Sequence, residues 1–177
     1  MDEAFDAAGT ALCCAAAVRL GGAVQVLTMR SGLLGHYSPI MAGLENITAF
    51  LDGRGLDDDL LGSAFAESWS LDARYPAELA GHSFVKGWSS LVFGTMVLTR
   101  PKQQDITSAQ TMEFALKAAA SWPTAVRIGS FDSLFHFEAA CQQEAGARMK
   151  EGGLPALWKL TEDRSKQYRQ TAEQLIG

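Results

Sequence analysis

The sequence predicts an all-α fold: one compact domain over residues 1–177, with six or seven helices in an irregular bundle. Three observations carry that expectation. Apolar residues recur three and four positions apart in most segments, capping residues stand where those segments begin and end, and strand-like alternation is scarce. No stretch rich in Pro, Gly or Ser divides the chain, and no repeat of fixed period stands out.

Asp2 or Asp6 can begin a first helix that runs through the alanines towards Leu20, where the pair Gly21-Gly22 is expected to stop or bend it. Residues 23–30 alternate in part, with Val24, Val26 and Thr28 on one side, so a short strand is the alternative there. Its best candidate partner, Ala125 to Ile128, is very short, and helix is preferred.

Ser38-Pro39 marks a helix start, because Ser can accept from free N–H groups and Pro at the first helical position loses no hydrogen bond. Ile40, Leu44, Ile47 and Leu51 share a face, and Gly53 is placed to end the helix after Asp52. Asp57, Asp58 and Asp59 then suit the positive end of a helix dipole, followed by Leu60, Leu61, Ala64, Phe65 and Trp69 at helical spacing. This acidic run is read as a cap and solvated turn rather than a metal site.

Pro76 is expected to open the next helix, with Phe84, Trp88, Leu91, Val92, Thr95 and Met96 as a core stripe until Pro101. Thr107 with Gln110 forms a capping box before Met112, Ala115, Leu116 and Ala119, in a helix ending near Trp122-Pro123. Ser130 can cap a helix containing Phe131, Leu134, Phe135 and Cys141, closed by Gly152-Gly153. Pro155 begins the last helix, in which Leu157, Leu160, Arg164, Tyr168 and Leu175 form one stripe and Glu162 lies one turn from Lys166.

Between Ala7 and Leu44 there is no Asp, Glu or Lys, and the only full charges are Arg19 and Arg30. A helix apolar all round belongs in a core, against another subunit or in lipid. The uncharged runs Ala7–Val18, Leu20–Met29, Ser31–Leu44 and Gly87–Thr99 each fall short of the roughly 18 residues a spanning helix needs, so a membrane span is not expected. Arg19 and Arg30 must reach water, an acid or a carbonyl. Self-association through the apolar segment is the preferred way of covering it.

The net charge of -5 is unevenly spread: residues 1–76 hold ten of the twenty acids and only four of the fifteen Lys and Arg. No basic stripe exists to displace counterions, which argues against nucleic acid as a partner. Three cysteines, with Cys13 and Cys14 adjacent, make no disulfide framework and no Cys-x-x-Cys. A cytoplasmic or other reducing intracellular compartment is expected, and the acidic start Met-Asp-Glu is unlike a secretory leader.

Catalytic motifs are missing from the sequence. No Glu-x-x-His occurs for a carboxylate-bridged metal bundle, Cys141 stands five residues from His136, and no glycine run has a phosphate-loop ending. Neither a metal nor a cofactor is expected. The function expected is non-enzymatic protein contact, with the chain as a self-assembling structural subunit or an adaptor, and with Trp69, Trp122, Trp158, Arg19 and Arg30 as candidate contact residues. The alternative is a small enzyme or ligand-binding bundle around two acid–histidine pairs of four-residue spacing, Glu78 with His82 and Asp132 with His136.

Overall fold

A computed structural model describes residues 5–100 and 106–176. They form six helices: α1 (Ala7–Ser31), α2 (Leu34–Leu51), α3 (Asp58–Arg74), α4 (His82–Leu98), α5 (Ser108–Ala120) and α6 (Leu134–Ile176). The all-α bundle is as the sequence leads one to expect, and the last helix explains the choice between six and seven. Gly153, at φ 66° and ψ −156°, breaks α6 into two limbs, and Pro155 restarts the second.

The central element is α1, packed by α2, α4, α5 and both limbs of α6. Asp6 caps it by accepting from the Gly9 N–H, and Gly32, at φ 75°, closes it. Gly21-Gly22 therefore do not stop the helix, and residues 23–30 continue it rather than forming a strand. Two interior glycines cost about 1 kcal/mol each relative to alanine, and packing outweighs that cost. A Cβ on Gly22 would collide with the Ser165 carbonyl of α6, and Gly21 faces Met41 and Trp88. The glycines are crossing points.

Ala11, Cys13 to Ala17, Leu20, Ala23, Val24 and Leu27 are all buried, so the apolar circumference of α1 is covered by the chain's own later helices. By length and composition α1 could cross a membrane, yet most of it lies inside the bundle.

α2 starts at Leu34, before the expected Ser38-Pro39, because the tight turn at Gly32 and Leu33 reverses the chain at once. Pro39 thus sits inside the helix and cannot donate to Gly35, whose exposed backbone is open to water. The far end is as expected: Gly53 at φ 90°, Gly53 N–H on Phe50 O and Arg54 N–H on Ala49 O make a Schellman closure.

Asp57 caps α3 through the Asp59 and Leu60 N–H groups, as the acidic run suggests. The buried stripe, however, is Leu61, Ala64, Ser68 and Leu71. Ala64 sits over Gly43 of α2, and that close approach turns Leu60, Phe65 and Trp69 outward.

Pro76 opens a pair of turns rather than a helix, and α4 begins at His82 after Gly81, which is held at φ 84°. The stripe Phe84, Trp88, Leu91, Val92, Thr95 and Met96 is fully in the core, with the Trp88 indole N–H donating to Ala17 O at 2.7 Å. Pro101 lies outside the described residues. The Thr107–Gln110 capping box forms at the start of α5.

Ser130 is taken up with Gly129 in a tight turn closed by the Ile128–Phe131 bridge, so it does not cap α6. Ser133 does, accepting from the His136 N–H at 3.2 Å.

Candidate binding groove

The largest exposed aromatic surface follows from the rotation of α3. Phe65 and Trp69 lie one turn apart on its outer face, and Phe93 projects from the neighbouring α4. Trp69 is 70% exposed, and the Phe65 and Phe93 rings meet at 5.3 Å and 44°. With Ile106 and Phe114 they line a cavity of about 380 Å³ whose polar members are Ser68, Asp72, Ser89 and Ser90.

Among the described residues two of those polar groups lack partners. Ser89 is only 5% exposed, and its hydroxyl has no hydrogen bond, whereas Ser68 donates to the Ser89 carbonyl and Ser90 to Lys86 O. Asp72 is half-buried, and among the described residues no Lys, Arg or His forms an ion pair with it. Among the described residues the groove therefore offers apolar walls and one carboxylate without an ion-pair partner, while the unpaired Ser89 hydroxyl lies beneath its surface.

The buried charges lie elsewhere. Glu138, on the first limb of α6, accepts Arg19 Nε at 3.0 Å, Arg19 Nη2 at 2.5 Å, the Tyr168 hydroxyl at 2.6 Å and Gln142 Nε2 at 3.1 Å. These four bonds use the carboxylate's acceptor capacity. Burial opposes the Arg19 charge, but the adjacent Glu138 outweighs it, so the guanidinium pKa rises. Tyr168 titrates well above the usual phenol range because it is buried and faces the Glu138 charge. No groove or cavity described here opens onto this cluster, which ties α1 to both limbs of α6.

Of the residues the sequence points to for contact, Trp69 alone is a prominent surface group in the groove. Arg19 is 1% exposed and Trp122 is 8% exposed, its ring edge-on to Phe84 at 4.9 Å. Neither offers a contact surface in this fold. Arg30 is exposed in the last turn of α1. Trp158 is half-buried in a separate cavity of about 400 Å³, beside Val18, Met41 and Arg169.

The two acid–histidine pairs do not come together. Glu78 is exposed in the turn before α4, and His82 places Nδ1 3.2 Å from the Tyr75 carbonyl. His136, on α6, has Asp132 at 3.5 Å and the Ser133 hydroxyl at 3.0 Å. Both approach the same nitrogen, Nδ1, whereas a catalytic triad needs the acid and the hydroxyl on opposite ring nitrogens. Helices α4 and α6 do not pack against each other, and none of the four residues lines a cavity described here. His36 instead pairs with Glu67 at 2.5 Å.

The cysteines are buried and free, with Cys13 donating to Ser108 O and Cys14 to Leu44 O. Burial pushes all three thiols up to about 12, the opposite of an activated nucleophile. Among the described residues no group of three His, Cys, Asp or Glu side chains is arranged to hold a metal.

Sequence reading missed Phe93, Asp72, Ser89 and Glu138. The signal for the groove was an excess: α3 carries more apolar residues than one buried stripe accommodates. Glu138 stands at the core register of Leu134 and Cys141, where a carboxylate needs a cation. No family model, curated protein or solved structure matches this chain.

Proposed function

We propose that this chain is a non-enzymatic helical binding protein that acts through protein contacts, and that its contact face is the aromatic groove of α3 and α4. The observation that carries the reading is the 70% exposure of Trp69 beside the exposed Phe65 and Phe93. Aromatic residues grouped on a surface are the usual anchors of a protein interface. The apolar α1 does not serve this role, since its faces are occupied inside the bundle. Three buried free thiols suit a reducing compartment.

The partner is either a second copy or a subunit of a larger assembly. Size-exclusion migration of the chain in extract of its native source tests both versions. The wild type is expected to run above monomer size and a Phe65→Ser/Trp69→Ala double variant at monomer size. Identical migration of the two at monomer size contradicts the reading.

A second reading, ligand binding between helices, is favoured by the cavity itself. Its volume of about 380 Å³ and its aromatic lining suit a small molecule.

A further inference from the structure

We infer that the cavity between α3, α4 and α5 is a site for an aromatic organic cation, with its ring against Phe65, Trp69 and Phe93 and its charge on the Asp72 carboxylate. The inference rests on the ligand-binding reading of the groove and names the ligand class. A cavity of about 380 Å³ lies near the lower end of small-molecule sites, which fits a molecule of one or two rings.

Charge selects the sign. Among the described residues Asp72 is the only charged one lining the cavity, it is half-buried, and no Lys, Arg or His forms an ion pair with it. Helix α3 adds to its field, with Asp58, Asp59, Glu67 and Asp72 against Arg74, while α4 and α5 carry Lys86, Glu113 and Lys117. The aromatic faces attract a cation as well, through their ring quadrupoles.

Ser89 lines the same cavity and is 5% exposed, but its hydroxyl oxygen lies beneath the surface. The aromatic walls and the carboxylate therefore set the ligand class, an aromatic ring with an attached ammonium.

The test is an amide-resolved NMR titration of the full chain at neutral pH with three 3-substituted indoles that differ in charge: tryptamine, 3-methylindole and indole-3-acetate. Shifts are expected at Phe65, Trp69, Ser89 and Phe93, with tryptamine binding about five-fold tighter than 3-methylindole, as for a partly exposed ion pair. Indole-3-acetate is expected to be weakest. Asp72→Asn should bring tryptamine and 3-methylindole level, while Asp59→Asn, the same charge change on α3 outside the cavity, should preserve the difference. The wild-type ranking tests the inference even if Asp72→Asn folds poorly. Equal binding of all three, or tighter binding of the acetate, overturns the cation assignment and leaves the groove a ligand site. No shifts at these residues with any probe at millimolar concentration overturns both.

Discussion

Arg19 and Glu138, 119 residues apart in sequence, meet in the core as a two-point ion pair with side chains 2% and 0% exposed. The pair joins the middle of α1 to the first limb of α6, and the Tyr168 hydroxyl on the same carboxylate adds the second limb. One polar cluster thus fixes the central helix and the kinked one together.

Removing one partner leaves the other charged and buried. Glu138→Ala is expected to lower unfolding stability by about 3–5 kcal/mol, measured by urea titration. A triple replacement, Arg19→Met, Glu138→Leu and Tyr168→Phe, removes both charges and the phenol, leaves Gln142 its bond to Met112 O at 3.4 Å, and should recover most of that loss. A Glu138→Ala cost below about 1 kcal/mol would mean that the pair is not buried as described.

Alkaline pH should destabilise the fold through its thiols. Cys13, Cys14 and Cys141 are pushed by burial from 9.0 up to about 12. Above pH 9 the unfolded chain loses these protons while the folded chain keeps them, so stability present below pH 9 is lost as pH rises towards 12. The slope is at most about 1.4 kcal/mol per pH unit for each thiol. Urea unfolding at pH 8, 9 and 10 measures it, and replacing the three cysteines by alanine should flatten the curve in that range.

The two glycines of α1 should behave differently. Gly21→Ala meets the flexible Met41 side chain at 3.3 Å, and its gain in helix propensity of about 1 kcal/mol offsets the crowding. Gly22→Ala drives a methyl into the Ser165 backbone and should cost about 1–3 kcal/mol. Thermal unfolding of the two variants checks the order, and equal effects would refute the close crossing of α1 and α6.

Tryptophan position separates core from surface. Trp88→Ala, in the core with its indole N–H bonded to Ala17 O, should cost about 3–5 kcal/mol. Trp69→Ala should change stability by less than about 0.5 kcal/mol, as expected of an exposed side chain. A large loss at Trp69 would show that it serves packing rather than recognition.

Much of the fold was legible because local chemistry and packing agree. The Asp57 cap, the Thr107–Gln110 box, the Gly53 closure and the α4 stripe each form where the residues indicate. Errors arose where a distant contact decides. Gly21-Gly22 read as a stop because nothing local reveals the α6 backbone against Gly22. Trp69 was legible as a contact residue, but its place beside Phe65 was not, because the Gly43–Ala64 approach that turns both outward joins two helices. For the polar cluster, part was legible: Arg19 in an apolar helix must reach water, an acid or a carbonyl, and only the fold identifies Glu138.

The central claim is that α1 is covered within a single chain and that recognition belongs to the α3–α4 groove. Hydrogen–deuterium exchange, comparing the dilute purified chain with the chain in its native complex, tests both parts at once. The account predicts that α1 amides are already protected in the dilute chain, and that complex formation adds protection over residues 60–75 and 86–97. Fast exchange of α1 in the dilute chain, with protection gained there in the complex and none at the groove, would contradict it.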